Sequence, residues 1–249
     1  MYRYFYFPDR VAYGTPADAD RVYEDVRFRS ADGTLLAGWF MPAPDKAHAT
    51  VVHMHGNAQN MSAHWPYAEW LLDRGFNVFT FDYRGYGNSQ GSPDPAGILA
   101  DAIAALDYLR SRDDKGKLCV FGQSLGGMLA IAAAASSPIG IRAVLAEAPV
   151  HSYTAWAEDQ MPEKELVLDD EHCASRHIAA LSPTPLLLMH SIVDRVVPYA
   201  HSEQLLAMAG EPKQLITIAD GAHNDAMTEC HGTRYQDSAA AFFTAACAR

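Results

Sequence analysis

Six short apolar runs, at residues 50–55, 77–81, 118–121, 143–146, 185–189 and 215–218, alternate along the chain with segments of helical periodicity. Each is four to six residues long and rich in Val, Ile, Leu, Ala or Phe. Runs of that kind suit strands covered on both faces, because a strand wetted on one face would alternate instead. Between them, residues 63–74, 97–110, 125–135, 199–209 and 234–246 carry apolar side chains at helical spacing. Such an alternation implies a doubly wound α/β sheet, since each right-handed crossover lays its helix back onto the strands. Ahead of it, residues 23–30 and 34–41 flank Asp32-Gly33, a turn signal that predicts a hairpin. The reading is a mostly parallel, eight-stranded sheet with helices on both faces. At 249 residues, a chain of this class is expected to form one domain, 1–249.

One stretch interrupts the pattern. Residues 150–180 are irregular and acidic, with seven carboxylates against Lys164 and Arg176, a local balance of −5. A long insertion in such a fold is commonly a lid over a site; a solvated surface excursion is the plainer alternative. The whole chain has 30 acidic and 19 Lys or Arg residues, a net charge of −11. That surplus excludes nucleic acid as a partner, because neutralising phosphates requires basic stripes. It equally disfavours a grip on anionic lipid. No run approaches the ~18 apolar residues of a membrane helix, so no transmembrane segment is expected.

Cys119, Cys173, Cys230 and Cys247 are scattered without CxxC or zinc-like spacing. A core of this size does not require disulfides, so a reduced, cytoplasmic setting is expected. His53 and His55 alternate like a metal pair but lack a third ligand at fitting spacing, so neither metal nor cofactor is expected. The aromatic start, Tyr2 to Phe7, is too short for a signal-peptide core and reads as a tucked strand or an interface patch.

Gly122-Gln123-Ser124-Leu125-Gly126-Gly127 lies where the run 118–121 ends and an Ala-rich helical segment begins. A turn from strand to helix that tight needs glycines beside the serine and thrusts the hydroxyl out at the sheet's carboxyl edge. The new helix N-terminus offers the Leu125 N–H to a developing oxyanion. A serine hydroxyl needs a base, and the base an orienting carboxylate. Of eleven histidines, His223 is placed best, in a Gly-containing loop after the last apolar run. Asp194 follows the run 185–189 and leads as the acid; Glu147, Asp220 and Asp225 are alternatives. A second oxyanion donor is expected from Asn57 in His55-Gly56-Asn57-Ala58, with His55 bonding inside that loop.

With these motifs in view, the chain resembles the α/β-hydrolase superfamily over nearly its whole length. It is similar to the serine hydrolase group containing monoacylglycerol-lipase-like and serine-aminopeptidase-like proteins. Further support comes from Phe81-Asp82-Tyr83-Arg84-Gly85-Tyr86-Gly87-Asn88-Ser89 and Gly221-Ala222-His223-Asn224-Asp225. The resemblance implies an α/β-hydrolase fold, a Ser124–Asp194–His223 triad, backbone oxyanion donors at Asn57 and Leu125, and Asp82 and Arg84 bracing the neighbouring loop. Two departures are visible: the group commonly has Gly after the residue at His190 and directly before His223, where this chain has Ser191 and Ala222.

The expected activity is cleavage of a small-molecule carboxylic ester, short to medium acyl or lipid-like, through an acyl-enzyme. Thioesterase, aminopeptidase, acyltransferase and non-catalytic binding are the alternatives. In the insertion, Trp156, Met161, Leu166, Val167 and Leu168 offer an apolar wall for substrate, and the same residues would equally pack the lid onto the sheet. Oligomeric state is not encoded in any of these signals. Because the −5 balance falls in the lid, anionic esters should turn over more slowly than charge-matched neutral ones at low salt; equal rates would remove this inference.

Overall fold

The computed structural model describes residues 4–163 and 168–248. Among them the strands are β1 (Phe7–Pro8), β2 (Glu24–Arg29), β3 (Leu35–Met41), β4 (Ala49–Met54), β5 (Ala58–Gln59), β6 (Phe76–Asp82), β7 (Lys117–Gln123), β8 (Ile141–Glu147), β9 (Leu186–Ser191) and β10 (Lys213–Ile218). Eight form one sheet in the order β10-β9-β8-β7-β4-β6-β3-β2. Strands β10 to β6 are parallel, and β3 joins β6 antiparallel. The expected hairpin is β2–β3, paired from Glu24 with Phe40 to Arg29 with Leu35.

Successive strand residues face opposite layers, as the period of two requires. Val51, Val78, Phe121 and Leu145 enter one buried cluster, while Val52, Phe79, Val120 and Val144 enter the other. The helices are α1 (Met61–His64), α2 (Pro66–Glu69), α3 (Pro95–Arg110), α4 (Leu125–Ser136), α5 (Tyr153–Gln160), α6 (Ala174–His177), α7 (Ala200–Met208) and α8 (Arg234–Cys247). Helices α3 and α4 cover the Val52 side and α8 the Val51 side. Ala102, Ala105, Ala130 and Ala132 to Ala134 are fully buried, and their small side chains let α3 and α4 lie close to each other and to the strands.

Two segments differ from expectation. The helix expected over residues 63–74 is broken into α1, α2 and a 3-10 turn at Leu72–Arg74. Pro66 lacks the N–H that would continue α1 and instead opens α2 at its first position. The insertion is more ordered than its composition suggests: it contains α5, α6 and a 3-10 turn at Ile178–Leu181. Ser152 caps α5 by accepting the Ala155 N–H at 3.1 Å.

The N-terminal segment is tucked rather than free. Phe7 and Pro8 pair in parallel with Ala58 and Gln59, and Phe5 and Tyr6 are buried. Phe5 packs edge-on against Tyr153, with ring centres 5.0 Å apart, and the Tyr6 and Tyr153 hydroxyls are 2.5 Å apart. Helix α5 of the insertion is therefore clasped to the N-terminal segment at one end. At the other, Asp159 meets His201 of α7 at 2.7 Å, and Gln160 donates to the Val196 carbonyl at 3.1 Å.

The loop after β6 is fixed by a charged anchor. The Arg84 guanidinium donates to the fully buried Asp101 of α3 at 2.8 Å and to Asp32 at 2.9 Å, while the Arg84 N–H donates to Asp101 at 2.8 Å. Removing one partner of a buried pair strands the other charge. Asp101→Ala should cost about 3–5 kcal/mol in urea unfolding, whereas an Arg84→Met/Asp101→Leu double variant should recover much of that loss.

Candidate active site

Five loops converge at the carboxyl edge of the sheet, after β4, β7, β8, β9 and β10, where an open α/β sheet presents its crevice. Ser124 sits between β7 and α4 with φ +56° and ψ −117°, a left-handed conformation that costs a non-glycine residue about 1–3 kcal/mol. The turn is held by hydrogen bonds from the Ser124 N–H to the Glu147 carbonyl, 2.9 Å, and from the Val150 N–H to the Ser124 carbonyl, 3.3 Å. Its glycines are there for space: a methyl group on Gly126 would overlap the Met54 carbonyl, and one on Gly122 the Gly126 carbonyl. Leu125 is the first residue of α4, so its N–H has no carbonyl within the helix to satisfy it.

Asp194 and His223 meet on adjacent loops. His223 Nδ1 lies 2.7 Å from Asp194 Oδ2, with the carboxylate fully buried and the imidazole partly exposed. The other carboxylate oxygen accepts the Val196 and Val197 N–H groups at 2.8 and 3.0 Å. His190 Nε2 stands 3.3 Å from Asp194 Oδ2 while bonding the Val197 carbonyl at 2.9 Å. Burial opposes ionisation of Asp194, yet the hydrogen bonds from His190 and His223 outweigh it and hold the carboxyl well below its usual range. With Nδ1–H donated to Asp194, His223 keeps Nε2 as an acceptor. Asn224, next in the chain, has φ +60°, and its side-chain oxygen is buried without a hydrogen-bond partner.

The loop after β4 is locked from three sides. The Asn57 carbonyl accepts the Tyr86 hydroxyl and the Phe7 N–H, each at 2.9 Å, and its side-chain amide donates to the Phe5 carbonyl at 3.2 Å. A β-carbon on Gly56 would lie 3.9 Å from that of Ser124, so this loop flanks the serine turn directly. His55 bonds inside the loop, Nδ1 to the Gly56 carbonyl at 2.8 Å, and burial pushes its pKa far down. Asp82, 3.6 Å from His55 Nε2, accepts the Met61 N–H at 2.7 Å, and burial pushes it up to about 7.

The structure thus brings Ser124, Asp194, His223, Asn57 and Leu125 to one edge. Trp156 and Met161 pack partly buried against the core, with Trp156 on Phe5 at 5.1 Å between ring centres. Leu166 and Val167 lie outside the described residues. Of the alternative acids, Asp225 bonds the Ala222 N–H at 2.7 Å and His231 at 3.1 Å. The Glu147 carboxylate accepts from the Gln123 side-chain amide and from the Ala226 N–H. Sequence reasoning did not single out His190 as a partner of Asp194, and its spacing of four from that residue is the signal that could have done so. Among the described residues no group of three His, Cys, Asp or Glu side chains is placed to hold a metal ion, and no helix is long and apolar enough to cross a membrane.

A mostly parallel sheet with a strained serine between a central strand and a buried helix defines a class, the α/β hydrolases. The family model described as serine aminopeptidase, S33, matches residues 45–166. The uncharacterized protein YfhR of Escherichia coli is 44% identical over 251 residues, covering 98% of this chain and 87% of that one. Protein bem46 of Schizosaccharomyces pombe is 29% identical over 231 residues, covering 89% and 76%. The esterase Pf2001 of Pyrococcus furiosus superposes with a TM-score of 0.80 at 22% identity, covering 96% of each chain. The chain belongs to the same family as YfhR and is an α/β hydrolase.

The depressed Asp194 carboxyl makes a prediction about stability. A carboxyl held below its unfolded value of about 4 contributes stability above that pH and loses it as pH falls through the folded value. In urea titrations the wild type should therefore be more stable than Asp194→Asn at neutral pH, and the gap should narrow as pH falls from about 5 towards 2. A gap independent of pH would contradict the assignment of this charge.

Proposed function

We propose that this protein is a serine hydrolase that cleaves carboxylic esters through an acyl-enzyme intermediate. The observation that carries the reading is the 2.7 Å His223–Asp194 hydrogen bond on loops of the carboxyl edge at which Ser124 sits strained and glycine-flanked. In this reading His223 Nε2 takes the proton of Ser124 as Oγ attacks the ester carbonyl, and Asp194 stabilises the imidazolium. The Asn57 and Leu125 N–H groups receive the oxyanion, each donor worth about 3 kcal/mol of barrier. His223 then returns the proton to the leaving alcohol, and a water repeats the cycle on the acyl-enzyme.

The lid supplies the acyl wall through Trp156 and Met161. Ester substrates are favoured because several of the structural neighbours are described as esterases, among them Pf2001. Aminopeptidase action is the second reading, favoured by the description of the matching family and by the acidic lid, which suits a free α-amino group.

Ser124→Ala should abolish covalent labelling by a fluorophosphonate, and labelling that persists elsewhere on the protein sinks the assignment. Asp194→Asn should lower kcat by about 10⁴, because an amide facing Nδ1 selects the wrong imidazole tautomer. Turnover of p-nitrophenyl esters, acyl thioesters and aminoacyl nitroanilides, compared across chain length, separates the substrate classes; nitroanilides turned over faster than esters would replace the ester reading by the peptidase one.

A further inference from the structure

Glu147 ends β8 and is buried, and the mechanism above gives it no part. Its backbone carbonyl accepts the Ser124 N–H at 2.9 Å. Its carboxylate accepts the Ala226 N–H through Oε1 at 2.8 Å and the Gln123 side-chain amide through Oε2 at 2.7 Å. One residue therefore holds both the serine turn and the loop that carries His223. Behind it a buried polar chain crosses the sheet. Gln123 Oε1 meets His53 Nε2 at 3.2 Å, and His53 Nδ1 meets Thr80 Oγ at 3.3 Å, linking β8 through β7 and β4 to β6.

The direction of these bonds is informative. Gln123 presents N–H to Glu147, so its oxygen faces His53, which must carry its proton on Nε2 and accept from Thr80 on Nδ1. Every donor in the chain points towards Glu147, and both carboxylate oxygens face N–H groups. A carboxylate, an acceptor only, satisfies that arrangement; a protonated carboxyl would meet donors with a donor. Burial nevertheless pushes the Glu147 pKa up, and the bonds from Gln123 and Ala226, with the attraction of His223, pull against it. A desolvated anion near an imidazole is worth most when that imidazole becomes charged.

We infer that Glu147 is a positioning residue that ties the serine turn to the histidine loop and stabilises the His223 imidazolium as it forms. The inference rests on the Ser124–His223–Asp194 reading. The charged and titratable groups facing these two residues are Asp194 with His190 from the β9 side, Asp225 with His231 from the histidine loop, and His53 beyond Gln123. Asp194 orients the ring from Nδ1, and Asp225 is engaged by His231 and the Ala222 N–H. That leaves Glu147 as the carboxylate bonded to both halves of the site.

The test is the rate of fluorophosphonate labelling at Ser124 between about pH 5 and 9 in the wild type, Glu147→Gln and Glu147→Asp. Glu147→Gln should lower the plateau by on the order of tenfold and move the acid limb to lower pH by roughly half a unit, because the neutral amide no longer favours the imidazolium. Glu147→Asp keeps the charge, so its acid limb should match the wild type, while its shorter reach should slow labelling and speed exchange of the Ala226 amide. A Glu147→Gln acid limb superimposed on that of a labelled wild type overturns this inference alone. No labelling of Ser124 in the wild type overturns the serine-hydrolase reading and this inference with it. If Glu147→Gln fails to fold by circular dichroism, Glu147→Asp decides: a wild-type rate with unchanged Ala226 exchange overturns the proposal.

Discussion

The close seating of α4 on the ends of β4 and β7 is the constraint on which the rest of the site depends. The N-terminus of α4 approaches the Met54 and His55 carbonyls so nearly that position 126 has no room for a β-carbon, and at Gly127 one would sit tightly, 3.0 Å from Pro149. That approach holds Ser124 in a left-handed turn, frees the Leu125 N–H and sets the Asn57 loop alongside. Ser124, Ala148 and Asn224 all adopt positive φ at the ends of neighbouring strands or in their loops. Backbone strain of this kind persists only where the surrounding packing dictates it, and here the buried Ala-rich face of α4 provides that packing.

Burial by itself does not decide the charge of a carboxyl at this edge. Asp82, Glu147 and Asp194 are all withdrawn from water, yet Asp194 is held below its usual range whereas the other two are raised. The difference lies in their partners. Asp194 has two imidazoles and two backbone N–H groups around it. Asp82 accepts from backbone donors, with the neutral His55 ring beyond hydrogen-bond reach. Glu147 stands between these cases, with two good donors and an imidazole whose charge appears only when it takes a proton. The edge thus holds three carboxyls whose ionisation is set by their partners, and the one held low meets the histidine directly.

The N-terminal segment and the 150–180 insertion form a second unit around this edge. Tyr6 meets Tyr153 of α5 through their hydroxyls, Phe5 receives the Asn57 side-chain amide on its carbonyl, and Asp159 meets His201 at the far end of that helix. A displacement of α5 would therefore be felt at the Asn57 loop through residues that lie more than 50 positions away in the chain.

The layered sheet, the β2–β3 hairpin and the serine turn were legible in the chain because each rests on local chemistry: unbroken apolar runs buried on both faces, an Asp-Gly turn, and glycines where a β-carbon has no space. Pro66 was legible too, and its missing N–H is why the segment 63–74 breaks where a helical pattern alone predicts continuity. The order inside the 150–180 insertion was not, since α5 depends on Phe5 and Tyr6 to cover its apolar side and its acidic composition reads as loop. The choice among acids was legible in part: Asp194 led from the sequence, but Glu147 and Asp225 also follow strands or flank the histidine, and their three-dimensional partners are what set them apart. Local sequence decides which elements form and where a serine can be strained. Which carboxylate meets which ring is decided by strands far apart in the chain, because the strength of a buried charge is set by the groups that close around it.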